Sequence, residues 1–253
     1  MQARIVEARQ GAIWLLDGWR LFRAAPLGWL AMVFAYWIIM TLASVVPFIG
    51  VAAASIMVPA FSVGFMAAAR AASRRGPVEL GLLFDGFRHH RKGQLILGVI
   101  YLACLGTLLS ATTLFDDGAL AAWMVTGRRP DEEALQSDDF LQALALAALL
   151  YMPVLMAFWF APPLVAWHGV GPVKALFFSF VACMLNWRPF LVYGGFSALV
   201  VVVLPLALLL ILMLASLKVA AMSLVFPVLL VLLPTLFASF YASYRDVFGV
   251  EPS

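Results

Sequence analysis

The densest group of reactive side chains in the sequence is a run of five residues, Arg88-His89-His90-Arg91-Lys92. Cations close to an anionic leaflet each add about 1 kcal/mol of attraction, so such a run can bind lipid phosphates. Together with a basic pair near the start of the chain, it predicts a headgroup site. That site comprises Arg20, Arg23, Arg88, His89, His90, Arg91 and Lys92. The alternative interpretation is that these residues only orient the protein in a membrane.

Other chemistry has little support in the sequence. His89 and His90 are adjacent, so they cannot both face one metal ion from a helix. There is no G-x-S-x-G, H-E-x-x-H or glycine-rich phosphate motif, and no carboxylate pair lies within an apolar run. Cys104 and Cys183 lie in apolar stretches and are predicted to be small buried side chains, not a disulfide. We therefore expect no enzymatic activity, no metal and no cofactor.

A second candidate site lies where prolines interrupt an apolar run. Pro162 and Pro163 follow Trp159 and Phe160, and helices broken in this way line the substrate sites of some transporters. The candidate substrate path consists of Trp159, Pro162 and Pro163. Prolines are also common in membrane helices, so a purely structural role is the alternative.

Long charge-free runs must position all these residues. Hydrophobic residues make up 65% of the chain and charged residues 11%, whereas soluble domains have about 25% charged residues. The longest run, residues 24–69, contains 46 residues; about 20 suffice to cross a bilayer. This run therefore holds two spans joined by a hairpin at Pro47-Phe48-Ile49-Gly50. We predict an all-α polytopic membrane protein with six spans, at residues 27–46, 51–70, 95–115, 140–166, 190–215 and 219–244.

The distribution of charge predicts the orientation. Six spans place both termini on one side, and 13 of the 16 lysines and arginines fall there. The opposite side carries an acidic loop at residues 116–139, in which Ser137 is suited to cap the fourth span. A further turn is expected near Ser216-Leu217-Lys218. Because basic loops stay inside, we expect both termini to be cytoplasmic.

Two short segments of the chain repeat one another. Residues 15–27 read LLDGWRLFRAAPL and residues 83–95 read LFDGFRHHRKGQL. Each copy ends at a helix breaker and continues into a span, so we name them the first elbow and the second elbow. They predict interfacial amphipathic helices at residues 3–23 and 79–92, and a weaker third unit predicts another at 174–188.

The elbow residues suggest two roles. In the first copy an apolar stripe is expected to face acyl chains: Ile5, Ala8, Ala12, Leu15, Trp19 and Phe22. Asp17 precedes Arg20 by three residues, as Asp85 precedes Arg88, so each pair can hold its own helix. Alternatively, the aspartate accepts a hydrogen bond from a neighbouring helix and locks the elbow.

The order of these features resembles a family of uncharacterised bacterial inner-membrane proteins. The likeness rests on residues 64–70 (GFMAAAR), Gly76-Pro77, the Leu-Phe-x-Gly-Phe motif at residues 83–87, the aromatic-rich residues 14–22, and Asn186-Trp187-Arg188-Pro189-Phe190. More distantly, the chain is similar to the membrane domains of some glycerophosphodiester phosphodiesterases. The resemblance implies membrane placement, and the residues of the hydrolase itself are absent.

These patterns favour a single membrane domain, residues 1–253, that organises membrane lipid, in particular anionic phospholipid, or a membrane protein partner. A homo-oligomer fits the same interpretation, and no binding of nucleic acid is expected. The alternative is a carrier for a small or amphipathic molecule through the proline-broken spans, and an intramembrane enzyme ranks third. A carrier requires a polar cavity at mid-membrane, whereas a scaffold requires a packed apolar bundle.

Overall fold

The computed structural model describes the backbone of residues 3–46, 49–214 and 218–249, and the side chains of these ranges except 218–226. Of these described residues, 86% are helical and none lies in a strand. Six helices in the described part of the chain are long and apolar enough to cross a membrane. This result confirms the prediction of an all-α polytopic protein with six spans.

Twelve helices follow one another along the described part of the chain. In chain order they are α1 (Gln10–Ala24), α2 (Pro26–Ala43), α3 (Ile49–Ser73), α4 (Asp85–Arg88), α5 (Arg91–Asp116), α6 (Ala119–Thr126), α7 (Glu132–Leu135), α8 (Asp138–His168), α9 (Pro172–Leu185), α10 (Trp187–Ala198), α11 (Leu204–Leu214) and α12 (Lys218–Phe248). A 3-10 helix, Leu80–Phe84, precedes α4, and a π-helical segment, Leu199–Val203, joins α10 to α11.

The candidate spans are α2, α3, α5 and α8, the continuous segment Trp187–Leu214, and Pro227–Phe248 within α12. Pro47 and Phe48 of the expected hairpin, and residues 216 and 217 of the expected turn, lie outside the described residues. On the acidic side of the sequence, Ser137 caps α8, as predicted, by accepting a 3.2 Å hydrogen bond from the Phe140 N–H.

The short helices differ from the predicted interfacial ranges. Residues 3–7 are not helical, because the backbone N–H of Arg4 donates to the Val247 carbonyl and that of Val6 to the Asn186 side chain. The predicted helix 79–92 is divided at His90, whose φ of +48° ends the helical path before α5. The third unit is likewise interrupted at Asn186, between α9 and α10.

Contacts divide the chain into two compact units. The first comprises Met1–Tyr36, Gly64–Asp85 and Ala182–Ser253, and the second comprises Trp37–Val63 and Gly86–Val181. In the first unit α1 packs against α10 and α12, with the buried Trp14 ring 5.3 Å from that of Phe190. In the second unit α5 packs against α8.

Candidate functional site

The basic run of the second elbow forms the junction between α4 and α5. α4 ends at Arg88, and His89 and His90 connect it to α5, which begins at Arg91. The side chains of all five residues, Arg88, His89, His90, Arg91 and Lys92, are exposed. They therefore present a concentrated positive charge at the start of a candidate span.

The backbone at this junction also favours an anion. The N-terminal turn of a helix has unsatisfied N–H groups and carries a partial positive charge. At α5 that turn has no acidic residue, and its N-cap, His90, makes no side-chain capping hydrogen bond. Arg91 and Lys92 add full charges within the same turn. This combination suits a phosphate group.

Close packing anchors the second elbow. Gly86 is in contact with the Ala60 carbonyl of α3, where a side chain would collide with the backbone. The Phe87 ring meets the Phe61 ring edge-on, with centroids 4.9 Å apart. The His90 imidazole lies against Gly169 at the end of α8, since a Cβ added there would be 3.2 Å from Cε1. The basic side chains thus extend from a fixed support.

The basic residues of the first elbow are arranged differently. Arg20 donates a 2.9 Å hydrogen bond to Asp17, and its side chain remains 71% exposed. The Arg23 guanidinium is exposed and lies 5.9 Å from the centroid of the Trp19 ring. The two predicted headgroup residues of this elbow are therefore accessible, but one of them already has a carboxylate partner.

A polar network connects the first elbow to α12. Arg245 donates to Asp17 at 2.9 Å and to Asp246 at 3.0 Å. Asp246 also accepts hydrogen bonds from Gln10 at 2.6 Å and from the Trp14 indole at 3.0 Å. Asp17 therefore both holds its own helix and accepts from a neighbouring one, which confirms the second of the two roles considered for it.

The face of α1 that packs on protein differs from the stripe that is expected to face acyl chains. Its buried residues are Gly11, Trp14, Gly18, Leu21 and Phe22, whereas Ile5 is 72% and Trp19 39% exposed. The glycines explain this difference. A side chain at Gly18 would collide with the Thr235 carbonyl and lie 2.9 Å from the Ser239 Cβ. Small residues thus select the face that packs on α12.

The proline site lies in the second unit. Pro162 and Pro163 are buried, within a run of α8 that is buried from Phe160 to Ala166, and Trp159 is half-buried. The Gln94 amide of α5 donates a 2.8 Å hydrogen bond to the Pro162 carbonyl. Its Oε1 atom is buried without a hydrogen-bond partner among the described residues. The sequence signal for Gln94 is a single amide at the start of an apolar run.

Two further buried polar residues were not predicted. Ser179 of α9 contacts the backbone of α8 through its hydroxyl group. Asn186 accepts from the Val6 N–H and donates to the carbonyls of Arg4 and Ala182, so its side-chain amide is fully used. Ser179 has no sequence signal, because its partners lie on another helix. Asn186 begins the Asn-Trp-Arg-Pro-Phe segment noted in the sequence, but its contacts with Arg4 and Val6 could not be predicted from that segment.

The two cysteines form no disulfide, Cys183 being buried and Cys104 half-buried. Burial raises the pKa of the Cys183 thiol, which keeps it protonated and unreactive. This agrees with the prediction that the cysteines are not paired.

Comparison with known proteins places the chain among membrane proteins. No family model matches it, and no solved structure matches it. The short motifs and the distant likeness to phosphodiesterase membrane domains therefore stay predictions. Over 257 aligned residues the chain is 37% identical to a probable inner membrane protein of Burkholderia thailandensis. The alignment covers 99% of this chain and 95% of that protein. With its six apolar helices, the chain is a multi-pass membrane protein, and it belongs to the same family as this inner membrane protein.

Proposed function

We propose that the protein is non-enzymatic and organises lipid in the cytoplasmic leaflet of the bacterial inner membrane by binding anionic phospholipid headgroups. The second elbow is the principal site. The observation that carries the proposal is the uncapped N-terminus of α5, which has two basic residues and no carboxylate in its first turn. A lipid phosphate there bonds to backbone N–H groups and pairs with arginine.

Three features support lipid over a soluble anion. The site lies at the first residues of a candidate span, so an occupant there is held at the membrane surface. Five adjacent basic side chains are exposed there, and their attractions to an anionic leaflet add together. Exposed Leu95 and Ile96 follow immediately on α5. Acyl chains of a lipid bound through its phosphate can cover these two residues.

The first elbow is expected to bind lipid more weakly. Arg23 is exposed beside Trp19, an aromatic residue suited to the interface. Arg20 must exchange its hydrogen bond with Asp17 before a phosphate can take its place. We therefore expect lipid retention to depend more on the second elbow than on the first.

Native mass spectrometry of the purified protein, supplied with phosphatidylglycerol or phosphatidylcholine at equal ratio, tests the proposal. The variant Arg88→Gln, Arg91→Gln, Lys92→Gln is expected to lose most retained phosphatidylglycerol, and phosphatidylcholine should change little. The pair Arg20→Gln, Arg23→Gln should lose a smaller share. The matched control for that pair, Arg128→Gln with Arg129→Gln, removes two charges near the acidic loop and should change nothing.

Topology must be checked in the same variants, because the substitutions remove charges that orient the spans. A reporter active only in the periplasm is expected to work near Asp131 and to fail near Gly76. If the topology is intact, unchanged retention of phosphatidylglycerol in the triple variant would contradict the proposal. The elbow charges would then serve orientation alone.

A carrier is the second candidate function, favoured by the two adjacent prolines inside α8. Pro162 and Pro163 remove two helical N–H groups, and the adjacent Gln94 Oε1 has no hydrogen-bond partner among the described residues. A water-filled path along α8 predicts that the variant Trp159→Cys reacts with a membrane-impermeant thiol reagent in liposomes. Absence of labelling there, with labelling of the control Gly171→Cys, would contradict a carrier.

A further inference from the structure

The hydroxyl group of Ser179 bridges two backbone groups of the neighbouring helix α8. Its O–H donates to the Met156 carbonyl at 2.7 Å, and its oxygen accepts from the Phe160 N–H at 2.9 Å. These two groups are four residues apart, so they are the partners of one α-helical hydrogen bond. Ser179, itself fully buried, therefore competes for both ends of that bond.

The prolines in the same stretch of α8 remove two helical hydrogen bonds. Pro162 and Pro163 have no N–H, so they cannot donate to the carbonyls of Phe158 and Trp159. Together with the Ser179 bridge, the helical ladder is weakened at three places within eight residues. Kinks in helices arise at prolines and where a side chain enters the ladder. Both causes coincide here.

This weak point separates two different halves of α8. Before it, Leu141, Leu144, Leu149 and Met152 are all exposed. After it, the residues from Phe160 to Ala166 are buried, and the Gln94 amide holds the Pro162 carbonyl. The first half is held at Phe140 and Ala143, which pack on Leu120, and at Tyr151, whose hydroxyl group bonds to that of Tyr101. The second half is buried along most of its length.

We propose that residues 156–163 are a hinge in α8 and that the Ser179 hydroxyl is its latch, through which movement of α9 changes the bend of the fourth span. α9 also exposes Val173 at 72% and Phe177 at 61%, so membrane lipid in contact with α9 can displace it. If Ser179 withdraws, it no longer competes for the Met156 carbonyl and the Phe160 N–H, and α8 straightens. This coupling is internal to the second unit and does not depend on headgroup binding by the elbows.

Double electron–electron resonance spectroscopy, which measures the distance between two nitroxide labels, tests the hinge. The labels are placed at Leu114, at the end of α5, and Leu141, near the start of α8, which are 82% and 52% exposed. The native cysteines are first replaced by alanine. The arm from residue 141 to residue 158 is about 25 Å long at 1.5 Å per residue. A change of roughly 20° in the bend therefore moves its end by about 9 Å.

Ser179→Ala is expected to shift the distance distribution by several ångströms and to narrow it. Ser179→Thr, which keeps the hydroxyl group, should retain the wild-type distribution. The matched control is Ser110→Ala, since Ser110 Oγ makes an ordinary 2.8 Å bond to the Gly106 carbonyl of its own helix. That variant should not change the distribution.

The variant Pro162→Ala, Pro163→Ala restores both missing donors with Ser179 intact, and it should also narrow the distribution. If Ser179→Ala fails to fold as a monodisperse species, the proline variant decides whether the hinge exists. A proline variant whose distance distribution matches that of the wild type overturns the hinge. A folded Ser179→Ala variant whose distance distribution matches that of the wild type overturns the latch.

Discussion

In the first elbow, the carboxylate of Asp17 bonds to Arg20 and to Arg245 of α12, whereas the second elbow ends in exposed Arg88, Arg91 and Lys92. In both copies a glycine packs on the backbone carbonyl of the residue that follows a proline in a long helix. Gly18 packs on the carbonyl of Thr235, and Gly86 packs on that of Ala60. The packing position is therefore common to the copies. The first copy binds α12 through Asp17, and the second presents three exposed cations.

This difference shows how one repeated segment can serve two purposes. Ion pairs that are partly shielded from solvent hold α1 against α12, and breaking such a pair leaves a charge without its partner. Exposed cations contribute little to stability and remain available for a ligand. The common glycine lets each copy approach a span closely, and the surrounding side chains determine what else the elbow does.

The largest expected effect on stability comes from the packed glycine that the two elbows share. Gly18→Ala and Gly86→Ala each force a methyl group onto a backbone carbonyl, which should lower the apparent Tm by about 10 °C. Gly106→Ala, with nothing within 4 Å of the added atom, should leave it unchanged or raise it slightly. Thermal unfolding followed by tryptophan fluorescence measures all three. A drop in only one of the two elbow variants would show that the copies do not share this packing.

A smaller effect is expected from the charges of the first elbow. Arg245→Gln removes hydrogen bonds to Asp17 and Asp246 where the arginine side chain is only 26% exposed, and it should cost about 1–3 kcal/mol. Arg20, at 71% exposure, should cost less than about 1 kcal/mol when replaced by glutamine. Denaturation of the two variants in the same detergent compares them. Equal losses of unfolding free energy in the two variants would mean that the contact with α12 adds no stability beyond the Asp17–Arg20 pair within α1.

The smallest effect, and one of opposite sign, is expected in the second elbow. Arg91 and Lys92 lie in the first turn of α5, where cations oppose the helix dipole. In uncharged detergent, Arg91→Gln with Lys92→Gln should raise the apparent Tm by about 1–3 °C. Addition of phosphatidylglycerol should stabilise the wild type more than this variant. A variant less stable than the wild type in uncharged detergent would mean that these cations hold the fold.

The sequence predicts the features that depend on local composition. Charge-free runs predict six spans because a bilayer requires long apolar helices, and Ser137 is recognisable as a cap from the carboxylates that follow it. The Asp-x-x-Arg spacing in the first elbow suggested two roles for Asp17, and only the structure identifies Arg245 as its second partner.

Contacts between distant residues could not be predicted in this way. Ser179 and Phe160 are 19 positions apart, and nothing in the apolar residues around the serine indicates that its hydroxyl group contacts another helix. The face of α1 that packs on the protein was not predicted, because periodicity counts apolar residues, and Gly11 and Gly18 count for little. Helices approach closely where a residue such as glycine has no side chain, and a hydropathy pattern does not detect such positions.

The contacts of Asn186 have a consequence for the biogenesis of the protein. Val6 is held by a side chain 180 positions later in the chain, and Arg4 bonds to the Val247 carbonyl near the end of α12. During synthesis, the segment before α1 can therefore form these contacts only after five spans have followed it and the sixth is nearly complete. A tag or fusion placed before Arg4 can interfere with this last docking step even when every span has inserted correctly.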